Sequence, residues 1–115
     1  YTTALDLARL AAEAFKNPFF AQIVQTEKIT VSDISGRITH QLFNINQLLG
    51  KIDGLKGGKT GWTQEAGECL VTYTEKENQG IITVVLGSKD RFGETEKLIK
   101  WVFENYRWID ITPSI

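Results

Sequence analysis

The stretch Ile81 to Leu86, apolar throughout except at Thr83, restricts the fold more than any other feature of the chain. A strand whose pleat sends apolar side chains to both sides needs cover on both faces, so it is expected to be buried within a layered structure. Ahead of it, Cys69, Val71 and Tyr73 alternate with Leu70, Thr72 and Thr74, and Asn78-Gln79-Gly80 is a turn signal. The two segments are therefore expected to pair as antiparallel strands. Behind it, Leu98, Ile99, Val102, Phe103 and Tyr106 fall on one helical stripe, with Glu94, Glu96, Lys97, Lys100 and Glu104 mostly elsewhere. That pattern predicts a long amphipathic helix over the sheet.

The N-terminal half supplies the other elements. Thr3 and Asp6 have the spacing of a helix cap, and Leu7, Leu10, Ala11 and Phe15 recur at helical period until Asn17-Pro18, predicting a helix over about 3–16. Pro18 suits the first position of a second helix capped by Asn17, with Phe20, Ile23 and Val24 inward and an end near Gln25. From Lys28 the period changes to two: Ile29 and Val31, a turn over Ser32 to Gly36, then Ile38, His40 and Leu42 read as a β-hairpin. A loop with Leu48 and Leu49 leads into a glycine-dense run from Gly50 to Gly61. This order predicts an α/β (α+β) fold, a mainly antiparallel sheet with packed helices. At 115 residues the chain fits one domain. The chain holds no methionine, so an excised or processed segment of something longer is expected, and Asp110 to Ile115 with Pro113 is read as leading into a further segment.

Charge and composition exclude several classes. A net charge of -1 with scattered lysines leaves no basic footprint for nucleic acid, so none is expected as a partner. The longest apolar stretch is too short to cross a bilayer. One cysteine and one histidine exclude an internal disulfide and leave too few ligands for an ordinary zinc site; no metal or cofactor is expected.

The chemistry gathers at Gly57-Gly58-Lys59-Thr60-Gly61-Trp62-Thr63. Flanking glycines allow another chain to lie along a strand edge, while Lys59 and Thr60 offer a cation and a short donor suited to a carboxylate or phosphate. A nucleotide phosphate loop would need glycine at position 53, which is Asp53, and a helix directly after Thr60, which Gly61, Thr63 and Gly67 oppose. A nucleotide loop is therefore discounted, while a carboxylate site and a plain solvated turn both stay open. His40 reads as a surface or half-buried strand residue, Cys69 as a small buried apolar residue, Glu65 and Glu68 as solvated, and Trp101, Tyr106 and Trp108 as core packing rather than a sugar platform.

A Lys-Thr-Gly strand lines the active site of penicillin-binding enzymes and serine β-lactamases. The stretch Asn46 to Gly50, Gly57 through Gly67, Cys69-Leu70-Val71, Val84 to Gly87, Arg91, Lys97-Leu98 and the opening Tyr1 to Ala8 resembles the D-alanyl-D-alanine carboxypeptidases, low-molecular-weight penicillin-binding proteins, over nearly the whole chain. The resemblance implies part of the β-lactamase/transpeptidase-like fold, with residues 1–115 as a single partial domain, the C-terminal portion of the catalytic domain. It also implies a serine acyl-transfer enzyme acting on peptidoglycan stem peptides and trapped by β-lactam antibiotics, outside the cytoplasm in the cell envelope. Residue by residue, it implies that Lys59 is catalytic, polarising the site and attracting the substrate carboxylate. Thr60 would hydrogen-bond that carboxylate, Gly61 would allow close approach and Trp62 would lend its N–H to an oxyanion hole. Arg91, read as lying in the loop before the last helix, would grip the terminal carboxylate. The family's Ser-x-x-Lys and Ser-x-Asn are absent: no serine has lysine three residues on or asparagine two residues on. The chain is therefore expected to be inactive alone and to need the missing N-terminal part of the same protein. A non-catalytic binding or scaffolding module of this fold and a β-lactamase are the alternatives. An exposed sheet edge is expected to favour pairing between copies.

Overall fold

The structure, a computed structural model, describes residues 1–113. Two helices, α1 (Ala4–Ala14) and α2 (Pro18–Gln25), precede five strands: β1 (Lys28–Ser32), β2 (Thr39–Phe43), β3 (Leu55–Thr63), β4 (Gly67–Lys76) and β5 (Gln79–Ser88). Helix α3 (Arg91–Asn105) closes the order. Of the C-terminal stretch expected to lead onward, residues 114–115 lie outside the described residues, and 106–113 form no helix or strand.

Local chemistry accounts for the helix starts. The Asp6 N–H donates to Thr3 Oγ1 at 3.1 Å, and Asn17 Oδ1 accepts from the N–H groups of Phe19 and Phe20, with Pro18 in the first turn. Each cap satisfies donors that lack an acceptor inside the helix. The short α2 ends at Gln25, as its spacing predicts, with Val24 buried; Ile23, expected inward, is exposed.

The strands form two antiparallel sheets rather than one. β1 and β2 pair alone as an exposed hairpin, whereas β3, β4 and β5 form a sheet in the order β3-β4-β5. The β4–β5 turn is Glu77-Asn78, both at positive φ (51° and 63°), between the paired residues Lys76 and Gln79. This differs from the expected Asn78–Gly80 turn. Two residues at positive φ make the twist that suits a two-residue hairpin. Gly80 is needed for packing instead, since a Cβ there would come within 2.8 Å of the Tyr73 ring.

The three-stranded sheet lies between helices. Phe15 of α1 packs against Tyr73 at a ring separation of 5.1 Å, which puts α1 on the face carrying Cys69, Val71 and Tyr73. Leu70, Thr72 and Thr74 alternate onto the other face, under α3, where Ile99 and Thr95 are buried. Thr72 and Thr83 share a hydrogen bond of 2.5 Å across β4 and β5. β5 departs from its expectation: it is an edge strand, with Thr83 and Ser88 buried, Ile81, Ile82, Val84 and Val85 half-buried and Leu86 exposed. With no further strand beside it among the described residues and partial cover from α1, an apolar run is not enough to seal both faces.

Candidate active site

β3 reaches the site through two glycines that serve packing. Gly57 sits at φ 117°, beside a register shift, and a Cβ there would stand 2.6 Å from the Val24 carbonyl oxygen; at Gly58 it would stand 1.9 Å from that of Val71. These glycines let α2 and β4 close on the strand. Gly61 alone is open, its nearest atom for an added Cβ being Cys69 Cβ at 3.7 Å. Because β3 ends the sheet order, its outer edge has no strand partner among the described residues, and alternate residues of such an edge turn N–H and C=O outward.

Lys59 is exposed and its Nζ donates to the Thr60 carbonyl at 2.5 Å. Thr60 is shielded, 7% exposed, opposite Leu70. Trp62 is 67% exposed, opposite Glu68. Arg91 is the first residue of α3, capped by Asp90, and not a loop residue as expected. Its guanidinium donates from Nη1 to the Gly61 carbonyl at 3.1 Å and lies 4.9 Å from the Phe92 ring centre. Two cationic side chains thus rest on adjacent carbonyls of one edge strand. Among the described residues the ion pairs are Arg9–Asp6 and Lys16–Glu13, both on or beside α1, so neither Lys59 nor Arg91 is neutralised by a carboxylate. The Arg91 Nε–H is buried without a partner among the described residues.

Beside this strand, a cavity of about 430 Å³ opens between the helices and the sheet, lined by Leu7, Leu10, Phe15, Phe20, Val71 and Leu86 together with the Lys59–Gly61 backbone region. Its walls are almost wholly apolar.

Other sequence readings divide. His40 is exposed on β2, as expected, and Cys69 is half-buried, its Sγ 3.8 Å from the Gly67 carbonyl. Glu68, read as solvated, is half-buried and accepts the Arg91 main-chain N–H at 3.1 Å. No local signal marked it, because its partner lies 23 residues on. Trp101, Tyr106 and Trp108 are not core: they are 50%, 58% and 37% exposed. They pack among themselves and with Phe103, Trp101 edge-on to Tyr106 and Trp108 stacked on Phe103. Among the described residues no three of His, Cys, Asp and Glu cluster to hold a metal.

Residues 1–90 match the family model described as D-alanyl-D-alanine carboxypeptidase. The chain is 30% identical to the D-alanyl-D-alanine carboxypeptidase DacF of Bacillus subtilis over 109 residues, covering 92% of this chain and 28% of that protein. It is 39% identical to DacC of Escherichia coli over 117 residues, covering 98% and 28%. A crystal structure of the DD-transpeptidase of Streptomyces K15 superposes with a TM-score of 0.82 at 32% identity, over 90% of this chain and 42% of that one. The chain therefore spans less than half the length of these relatives, and its layered fold is that of penicillin-binding enzymes.

Proposed function

The chain belongs to the D-alanyl-D-alanine carboxypeptidase family, and from that premise we propose that residues 1–115 form the C-terminal portion of the catalytic domain of a serine-type, penicillin-sensitive D-alanyl-D-alanine carboxypeptidase. One observation carries the reading: Lys59 and Arg91, both without a carboxylate partner among the described residues, lie on neighbouring carbonyls of the edge strand β3.

In this reading a peptidoglycan stem peptide, or the β-lactam that mimics it, lies along the β3 edge as an added strand. Its terminal carboxylate is drawn to Lys59 and the Thr60 hydroxyl, and Arg91 is the planar donor that grips it. Gly61, which carries no Cβ, lets it approach. The Trp62 N–H is half of an oxyanion hole, where a fixed dipole meets the charge that develops as the carbonyl is attacked. The attacking serine and its lysine belong to a Ser-x-x-Lys supplied by an N-terminal part of the same protein, together with Ser-x-Asn. The acyl-enzyme forms when the serine oxygen bonds the carbonyl carbon and D-alanine leaves; water then releases the shortened peptide. Such chemistry belongs outside the cytoplasm, at the cell wall.

The test is acylation of the longer protein by a fluorescent penicillin. Lys59→Ala is expected to lower the acylation rate by about 10²-fold or more, the loss typical of one preorganised electrostatic group; unchanged acylation would remove Lys59 from the machinery. The second reading is a binding or scaffolding module of the same fold. An upstream coding sequence without either serine motif would decide for it, and fast turnover of the acyl-enzyme would instead indicate a β-lactamase.

A further inference from the structure

β4 and β5 do not stay in even register at the end near α3. Glu68 pairs with Ser88 and Leu70 with Val85, so β5 carries one extra residue across Leu86-Gly87, with Gly87 at φ 65°. A bulge of this kind re-aims the residues beside it, and here it sets Ser88 opposite Glu68. Four hydrogen bonds to side chains then hold the first turn of α3. Ser88 Oγ donates to the Glu94 carboxylate, the Asp90 N–H donates to Ser88 Oγ at 2.8 Å, and the Gly93 N–H donates to Asp90 Oδ1 at 3.0 Å. These three stay within residues 88–94. The fourth, from the Arg91 N–H to Glu68 Oε2 at 3.1 Å, alone among them ties the helix start to β4.

The first N–H groups of a helix lack internal acceptors, and its N-terminus favours negative charge. Glu68 meets both conditions at the residue whose side chain crosses to β3. From that anchor the Arg91 guanidinium reaches Gly61, the neighbour of Trp62, which is itself paired with Glu68. We propose that Glu68 is a positioning residue: its carboxylate holds the Arg91 main chain on β4 and so fixes the guanidinium on the edge strand where the substrate carboxylate binds. The anchoring step rests on the hydrogen bonds; the binding step rests on the proposed carboxypeptidase reading.

The two steps have separate readouts. Hydrogen exchange at the Arg91 amide should quicken about tenfold or more in Glu68→Ala, the loss of one charge-assisted bond, and stay near the parental rate in Glu68→Gln, which keeps an acceptor. Unchanged exchange in Glu68→Ala overturns the anchor. In penicillin acylation, Glu68→Ala should weaken the binding constant with the acylation rate constant little changed, because a carboxylate anchor serves ground and transition states alike. Glu68→Gln should restore most of it, and Glu68→Ala should add nothing to Arg91→Ala. Additive losses, or a loss matched by the fall in folded protein on thermal melting, overturn the positioning role. A protein that no penicillin acylates overturns the carboxypeptidase reading instead, and the exchange rates then decide the anchor on their own.

Discussion

A Cβ at Gly58 would stand 1.9 Å from the Val71 carbonyl oxygen, whereas at Gly61 the nearest atom, Cys69 Cβ, is 3.7 Å away. The two glycines of the motif therefore answer to different constraints, although the sequence presents them alike. Gly58→Ala should force β3 off β4 and lower stability by about 3 kcal/mol, the upper range for overpacking. Gly61→Ala should leave the urea midpoint near the parental value, since its φ is not in the left-handed region and space is open. Equal midpoints for the two variants would refute this division of labour. If Gly61→Ala nevertheless slows penicillin acylation, the effect lies at the strand edge, where the proposed substrate approaches.

Alternation along β4 puts Leu70, Thr72 and Thr74 under α3, and Leu70 is fully buried there with Ile99. Leu70→Ala should lower stability by about 2–5 kcal/mol, read from denaturant unfolding, because a side chain in that setting leaves a cavity that its neighbours only partly fill. A change under about 1 kcal/mol would mean that the face repacks freely. The β1–β2 hairpin is held differently, by its turn. Asp33 accepts from the Ser35 hydroxyl, from the Ile38 N–H at 2.9 Å and from the Ser35 N–H at 3.2 Å, which holds its carboxyl below the ordinary 3.8. A carboxyl lowered in this way supports the turn above its ordinary range, and the support fades as pH falls through the lowered value. The Ser35 and Ile38 amide resonances should thus shift in acid with a midpoint below that of a free aspartate and lose this response in Asp33→Asn; a midpoint at or above the ordinary value would contradict it.

The whole molecule exposes 8929 Å² for 13.0 kDa, where a compact monomer of that mass exposes roughly 6300 Å². Its radius of gyration is 16.6 Å, against about 13 Å for a compact chain of this length. The excess is apolar in part: Leu10, Phe19, Ile23 and Phe43 are all more than half exposed. In the proposed reading, an N-terminal segment of the same protein covers part of this surface. Expressed without such a segment, the 115-residue chain is expected to associate at micromolar concentration through its uncovered face and strand edges. Sedimentation as a monomer with no binding of a hydrophobic dye would count against it.

Periodicity and caps were legible because they depend on near neighbours: Thr3 and Asn17 start α1 and α2 and alternation marks β4, whereas the Lys59-Thr60-Gly61 strand was expected from the family resemblance alone. The same local rules misplaced the Glu77-Asn78 turn, since Gly80 is needed by Tyr73 across the hairpin and not by the turn. They also left Arg91 in a loop, Glu68 in solvent and the tryptophans in a core. For Arg91 and Glu68 the outcome is set by a partner far along the chain: Gly61 is 30 residues from Arg91, and Glu68 is 23. Sequence patterns mark most of the helices and strands and the Lys59-Thr60-Gly61 segment proposed to carry the chemistry. Only the tertiary structure decides that the start of α3 brings the Arg91 side chain onto the edge strand β3 and its main chain onto Glu68 of β4, because hydrogen bonds between distant segments leave no period to read.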